Sequence, residues 1–211
     1  MKGAVMREVK PDSAQTCGLL ERISRGDSQA LEQLLARCRP DLQAFVEVRL
    51  DPRLAARMDP SDVVQEAQLE VVRRMEDFLR RRPMPFHLWV RKTAYERLLD
   101  LRRHHHRARR SVERESVLPD RSSLLLSRPL LAGGSSPSEK LQARERTERI
   151  ARAVHGLTEI DREVLLMRHG EGLPFDEIGC LLDIESTAAR KRFGRALIRL
   201  QKALSEQGLM E

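Results

Sequence analysis

Aromatic residues are scarce in this chain, since one Trp, one Tyr and five Phe make up 3% of its 211 residues. No run of 18 apolar residues occurs, and the N-terminal segment has no apolar core long enough for a signal peptide. These absences argue against a membrane span and against secretion. We therefore expect a cytoplasmic protein.

Signatures of metal sites and enzymes are also missing. The three cysteines, Cys17, Cys38 and Cys180, show no CxxC or Cys/His spacing, so neither a disulfide framework nor a zinc site is supported. His104 to His106 are consecutive, and a helix would direct them about 100° apart, which does not suit joint metal binding. No Gly-rich phosphate loop or nucleophile motif is present. We predict no metal, no cofactor and no enzymatic activity.

Helix-forming and basic residues dominate what is present. Leu, Ala, Glu and Arg are the commonest types, which favours an all-α chain. The formal net charge is +7 and the sequence pI is about 9.9. A basic balance of this size favours nucleic acid or another anionic surface as the partner.

Apolar periodicity predicts the helices of the N-terminal half. Residues 1–12 look unstructured, and helices are expected over 13–25, from residue 28 to about Pro40, and over 41–50, with a further turn near 53–58. Ser61 is predicted to cap the next helix, which ends near Arg82. Its buried stripe is formed by Val64, Ala67, Val71, Met75 and Phe78.

A strongly basic helix is predicted from Phe86 to Arg110, after two prolines. Between Arg80 and Arg110 there are eleven Lys or Arg residues against two acids, Glu96 and Asp100. Basic charge on one helix face is the footprint of a polyanion partner, although an ordinary solvated face gives the same pattern.

Composition predicts two domains around a linker. Ser, Pro and Gly accumulate over 111–137, where GGSSP is typical of a flexible tract. The predicted organisation is a flexible N-terminus (1–12), a helical domain (13–110), a flexible linker (111–137) with or without a short docking segment, and a second helical domain (138–208).

The second domain ends in a predicted helix-turn-helix. Thr158 caps a helix ahead of it, Gly179 allows two helix backbones to approach, and Ile184 fills the turn. Ser186 is predicted to cap the last helix, which carries six basic residues and one acid between positions 185 and 202. An ordinary αα-hairpin with a basic surface is the alternative. The predicted buried stripe of the last helix is Ala189, Phe193, Ala196, Leu197, Leu200 and Leu204, and its exposed side is Thr187, Arg190, Lys191, Arg192, Arg195 and Arg199.

Three motifs in this order and spacing resemble bacterial RNA polymerase sigma factors of the extracytoplasmic-function (ECF) group. They are DPSDVVQEA (59–67), FHLWV with a later DLRR (86–103), and LTEIDREVLLMR followed by EIG and RA (157–196). The resemblance covers about 58–110 and 140–204. It implies an all-α fold of two small helical domains joined by a flexible linker, the second ending in a helix-turn-helix.

The resemblance also implies partners and site residues. The implied partners are core RNA polymerase, through its β′ clamp helices and β flap, and promoter DNA, with an anti-sigma protein as a further candidate. The residues matching the family's clamp-helix contact are Asp62, Gln65 and Glu66. Those implied for the −10 element are Trp89, Arg91, Lys92, Glu96, Arg102 and Arg103. Those implied for the −35 element are Ser186, Thr187, Arg190, Lys191 and Arg195.

Two departures from the family pattern bear on DNA recognition. Glu96 stands where the family commonly has Asn, and a carboxylate near DNA repels phosphate. Ala188 and Ala189 stand where a Thr-Val pair usually begins the recognition helix. Two other readings stay open: a helix-turn-helix regulator that binds DNA alone, which would leave 59–110 unexplained, and a divergent protein that sequesters other regulators.

Overall fold

The computed structural model of the chain describes residues 9–50, 55, 58–108 and 149–206. Every regular element in these ranges is helical, which confirms the all-α prediction. Most of the predicted turn at 53–58, the predicted linker at 111–137 and the start of the second predicted domain lie outside the described residues. The first four helices are α1 (Ala14–Ser24), α2 (Ser28–Arg49), α3 (Pro60–Arg81) and α4 (Phe86–Ala108).

The last described range begins with a helical stretch over 149–155. It continues with α5 (Glu159–Leu165), a π-helical turn (Leu166–Gly170), α6 (Phe175–Leu182) and α7 (Ser186–Glu206). None of the described helices is long and apolar enough to cross a lipid bilayer. Contacts within the chain divide it into two compact units, of which the first contains α1 to α4.

Helix α2 continues through Pro40 without a break, so the predicted helix end at this proline is wrong. A proline inside a helix removes one backbone hydrogen bond and costs about 3 kcal/mol. Burial on both sides of the proline offsets this cost, because Leu34 before it and Phe45 and Val46 after it all lie in one core. Each fully buried side chain of this size contributes about 1.5–3 kcal/mol.

Helix α3 begins two residues earlier than predicted, since its N-cap is Asp59 and not Ser61. The Asp59 carboxylate accepts from Ser61 N–H at 2.7 Å, and the Asp62 carboxylate accepts from Asp59 N–H at 3.3 Å. Pro60 then occupies the first helical position, where a missing N–H costs nothing. The predicted stripe from Val64 to Phe78 is buried as expected.

Two aspartate caps make the first unit sensitive to acid. Backbone hydrogen bonds, from Ser61 to Asp59 and from Ala30 to Asp27, hold the pKa of both carboxyl groups below the ordinary value of 3.8. Because the pKa is lower in the folded chain than in the unfolded one, this stabilisation is complete above about pH 4 and is lost as the pH falls below it. We expect the melting temperature to fall less steeply below pH 4 in D27N/D59N than in the original chain.

Thermal unfolding followed by circular dichroism between pH 7 and pH 3 measures this difference. Asparagine also caps helices but does not titrate, so the variant is a matched control for cap geometry. Identical acid dependence in the two proteins would mean that other carboxylates dominate.

An aromatic cluster joins α3 to the start of α4. Phe78 stacks on Trp89 with ring centroids 4.4 Å apart and contacts Phe86 edge to face at 5.5 Å. Phe86 is completely buried and Trp89 is half-buried. The cluster fixes the angle at which α4 leaves the turn at 82–85, where Arg82 has a left-handed φ of 39°.

The second unit carries the predicted helix-turn-helix. The Thr158 hydroxyl accepts from Asp161 N–H, which confirms the predicted cap of α5. At Gly179 an added Cβ would lie 2.7 Å from the Ile184 carbonyl oxygen, so this position accommodates only a glycine unless the turn opens. The turn itself is closed by the Ile184 N–H, which donates to the Gly179 carbonyl at 3.0 Å.

Two details of α7 differ from the prediction. Ser186 is its first helical residue rather than its cap, and the Glu185 carbonyl accepts the first helical hydrogen bonds, from Ala188 and Ala189. Leu197 is 43% exposed, so it is not part of the buried stripe. The stripe is narrower than predicted because α7 packs mainly on α5, along the line of Ala189, Ala196 and Leu204.

Candidate functional surfaces

The exposed side of α3 holds the three residues predicted to contact polymerase, and each has a different local role. Asp62 closes the capping box described above, so its carboxylate stabilises the helix start. Gln65 is exposed, and its side chain makes no hydrogen bond within the part of the chain that the structure describes. Glu66 is partly exposed and accepts from Arg97 Nε of α4 at 2.6 Å. That hydrogen bond raises the pKa of Arg97.

A line of charges follows the groove between α3 and α4. Arg74 Nε lies 2.5 Å from Glu70, and Arg74 Nη1 lies 3.3 Å from Glu96. Arg74 therefore shares its charge between two carboxylates, one of which is the unusual acid of the predicted −10 helix. Glu96 faces an intramolecular cation in this groove, which lowers the phosphate repulsion that the sequence alone implied.

The predicted −10 residues of α4 form two basic stripes. Arg91 and Arg102 are eleven positions apart, about three helical turns, and therefore share one side of the helix. Both side chains are turned toward α2: the Arg91 guanidinium lies 5.1 Å from the Phe45 ring centroid, and Arg102 donates to the Arg49 carbonyl at 2.6 Å. These two contacts stabilise the packing of α4 on α2.

Lys92 and Arg103 have the same eleven-residue spacing on a side about 100° away. Lys92 is partly exposed, and Arg103 is exposed and paired with Asp100 at 2.6 Å. Trp89, in contrast, is held by its stack on Phe78. Of the predicted −10 residues, all of which the structure describes, Arg103 is exposed and the others are partly exposed.

The N-terminal half of α7 presents its predicted DNA-reading side chains to solvent. Thr187, Arg190, Lys191 and Arg195 are exposed, and Ser186 is partly exposed. The Arg190 guanidinium lies 5.2 Å from the Phe175 ring centroid, and that ring also contacts Phe193 edge to face. An arginine held over an aromatic ring keeps its donors directed outward.

A buried carboxylate in the second unit was not predicted. Asp161 is 3% exposed, and its two oxygens lie 2.5 Å from Arg199 Nη1 and 3.7 Å from Arg192 Nη1. The two arginines were predicted on the exposed side of α7, but they connect α7 to α5. Asp161 lies in the first turn of α5, three residues after its cap Thr158. Acids at that position are usually exposed, so the local sequence does not indicate that Asp161 is buried.

Comparison with known proteins covers both units. The family model "Sigma-70, region 4" matches residues 147–200. The ECF RNA polymerase sigma factor ShbA of Streptomyces griseus is 32% identical over 198 residues, which span 90% of this chain and 94% of that protein. This chain belongs to the ECF RNA polymerase sigma factors. The ECF sigma-E factor of Escherichia coli K12 is 25% identical over 185 residues, spanning 84% of this chain and 88% of that protein.

Solved structures show the same fold as this ECF sigma factor. CnrH, solved in complex with the cytosolic domain of CnrY, matches with a TM-score of 0.57 at 22% identity and covers 92% of this chain and 99% of that one. The sigma factor RpoE of Bartonella quintana, solved with the anti-sigma factor NepR, matches with a TM-score of 0.53 at 17% identity. The match covers 82% of this chain and 96% of that one.

Membership of the ECF family explains the first unit, which a stand-alone helix-turn-helix regulator leaves without a role. Sigma factors are in general regulators rather than enzymes. Among the described residues, no group of three or more His, Cys, Asp or Glu side chains could hold a metal ion. The individual polymerase and DNA contacts of this sigma factor stay predictions.

Proposed function

We propose that this chain binds core RNA polymerase and directs promoter-specific initiation, with its first unit at the polymerase and the −10 element and its second unit at the −35 element. Membership of the ECF family carries the proposal: sigma factors bind core polymerase and give it promoter specificity. The chain acts in the cytoplasm with the polymerase and has no enzymatic activity of its own.

The polymerase contact is centred on Gln65 and Glu66 of α3. Gln65 supports this because it is exposed and its amide is available for an incoming partner. Leu69 follows one turn later on the same side and is 58% exposed, which adds an apolar surface beside the two polar groups. Asp62 contributes chiefly by capping α3, so its substitution would also perturb the helix.

The DNA contacts divide between α4 and α7. Lys92 and Arg103 supply positive charge toward the −10 element, while Arg91 and Arg102 hold α4 on α2. At the −35 element the exposed N-terminal turns of α7 enter the major groove, where Arg190 reads base edges and Lys191 and Arg195 contact phosphates.

An anti-sigma protein is a further proposed partner. The Bartonella quintana RpoE that shares this fold is solved with an anti-sigma factor. We expect such a protein to compete with polymerase for the exposed side of α3 or with DNA for α7.

Replacing Gln65 and Glu66 with Ala is expected to weaken binding to core polymerase by about 10- to 100-fold, since a few central side chains dominate most interfaces. Fluorescence anisotropy of labelled chain titrated with core polymerase measures the dissociation constant. Asp62 is left intact so that the cap of α3 is unchanged.

Glu76 provides the matched control, because it is an exposed acid on the same helix three turns away. E76A is expected to bind core polymerase within about twofold of the original chain. Equal affinity of Q65A/E66A and E76A would move the polymerase contact away from this part of α3. Failure of the folded original chain to bind core polymerase would contradict the proposed function itself.

A further inference from the structure

Helix α4 has no capping side chain of its own. The residues before it, Arg82 to Pro85, supply only the Pro85 carbonyl, which accepts from Leu88 N–H and Trp89 N–H at 3.1 and 3.0 Å. The first two N–H groups of α4, those of Phe86 and His87, therefore need another acceptor, since buried backbone donors are rarely left unpaired.

Asp12 supplies that acceptor from 74 residues away in the sequence. Its carboxylate accepts from Phe86 N–H at 2.8 Å and from His87 N–H at 3.4 Å, and it lies 3.2 Å from His87 Nδ1. The Asp12 side chain is only 13% exposed. A negative charge held against the first N–H groups also matches the positive end of the helix dipole.

The chain around Asp12 is anchored in turn. Asp12 directly precedes Ser13, the N-cap of α1, whose hydroxyl accepts from Thr16 N–H. Leu20 of α1 is buried in the core of the first unit. The carboxylate is thus held by a packed helix and fixes the start of α4, although residues 1–12 looked unstructured in the sequence.

We propose that Asp12 is a positioning residue for promoter opening. Its carboxylate sets the first turn of α4 and, through it, the turn at 82–85 that leads into the −10 helix. Side chains that stabilise extruded bases must be held in place before the duplex opens, because unstacking a base costs free energy that only well-placed contacts recover. This inference rests on the proposed assignment of α4 to the −10 element.

The test compares holoenzymes made with the original chain, D12A, D12N and H87A on one promoter, as a duplex and as a template already unpaired across the −10 element. D12A is expected to lower transcription from the duplex at least about fivefold. A lost helix cap typically costs about 1 kcal/mol, which changes the equilibrium between the ordered and disordered helix start by about that factor. On the unpaired template its loss is expected to be under about twofold, because opening is no longer required.

Two variants separate the cap from its surroundings. D12N keeps an oxygen acceptor without the charge and is expected to fall between D12A and the original chain. H87A removes the imidazole but leaves both backbone donors, so it is expected to match the original chain within about twofold. Core-polymerase binding and the melting temperature are measured for every variant.

The proposal is overturned if D12A transcribes the duplex as well as the original chain does. It is also overturned if D12A loses the same factor on both templates, since the cap would then serve stability alone. If the original chain binds core polymerase but supports no promoter-specific transcription, the proposed function fails instead, independently of Asp12.

Discussion

R192A/R199A is expected to destabilise the second unit by about 1–3 kcal/mol, because it leaves the buried Asp161 carboxylate without its two partly exposed arginine partners. The charge would remain in a site that is 3% exposed, between α5 and α7. A loss of this size is a large part of the stability of a small helical unit. Hydrogen exchange of the α5 and α7 backbone amides measures it directly, because local opening free energies follow from their protection.

A third substitution tests the physical cause. Adding D161N to the double variant removes the unpaired charge and is expected to restore at least about half of the lost stability. K191A serves as the control on the same helix and is expected to change stability by less than about 0.5 kcal/mol, since Lys191 is exposed. No recovery with D161N would mean that the lost arginine packing, not the charge, causes the effect.

R190A/K191A/R195A is expected to weaken the holoenzyme's promoter complex at least about 100-fold without unfolding α7. Each base contact contributes about 1–3 kcal/mol. Each lost phosphate contact reduces the slope of the logarithm of the binding constant against the logarithm of the salt concentration by about 0.9. All three side chains are exposed, so amide protection in α7 should change little, by no more than the loss of the Arg190–Phe175 contact. Filter binding of holoenzyme to promoter DNA at several salt concentrations measures both quantities.

The controls for this variant distinguish recognition from general charge. K202A removes a basic residue from the same helix about two turns beyond Arg195 and is expected to lower affinity by less than about threefold. R190A alone is expected to relax base preference at one position of the −35 element, since Arg commonly reads guanine. An unchanged affinity and salt slope in the triple variant would remove α7 from the DNA contact.

Local chemistry made much of this fold predictable from the sequence. The cap at Thr158 and the close approach at Gly179 each depend on a residue type with a short-range role, so a single stretch of sequence is sufficient evidence. The stripe of α3 was predictable for the same reason, since helical spacing alone tells which face is buried.

The features that were missed depend on distant partners. The sequence predicts a helix end at Pro40 because the local cost of a proline is large, but core contacts on both sides outweigh that cost. Periodicity reports which face of a helix is buried, not which remote side chain meets it. The cap that Asp12 gives to α4 and the pairing of Asp161 with two arginines of α7 therefore left no sequence signal.

The structure shows that the predicted site residues of α4 differ in their local contacts, which the sequence did not indicate; their contacts with DNA stay predictions. In the sequence, nothing distinguishes the roles of four basic residues of α4: Arg91, Lys92, Arg102 and Arg103. The structure turns Arg91 and Arg102 toward α2. It leaves Arg103 exposed and Lys92 partly exposed. Glu96 likewise is unfavourable for DNA binding on sequence alone, but in the structure Arg74 lies beside it.

In vitro transcription of the genome that encodes this chain tests the central claim most directly. Core RNA polymerase is used with and without the purified chain, and the 5′ ends of the transcripts are mapped by sequencing. The account predicts new start sites that appear only with the chain and share two sequence elements at −35 and −10. The same start sites with and without the chain, although it binds core polymerase, would contradict it.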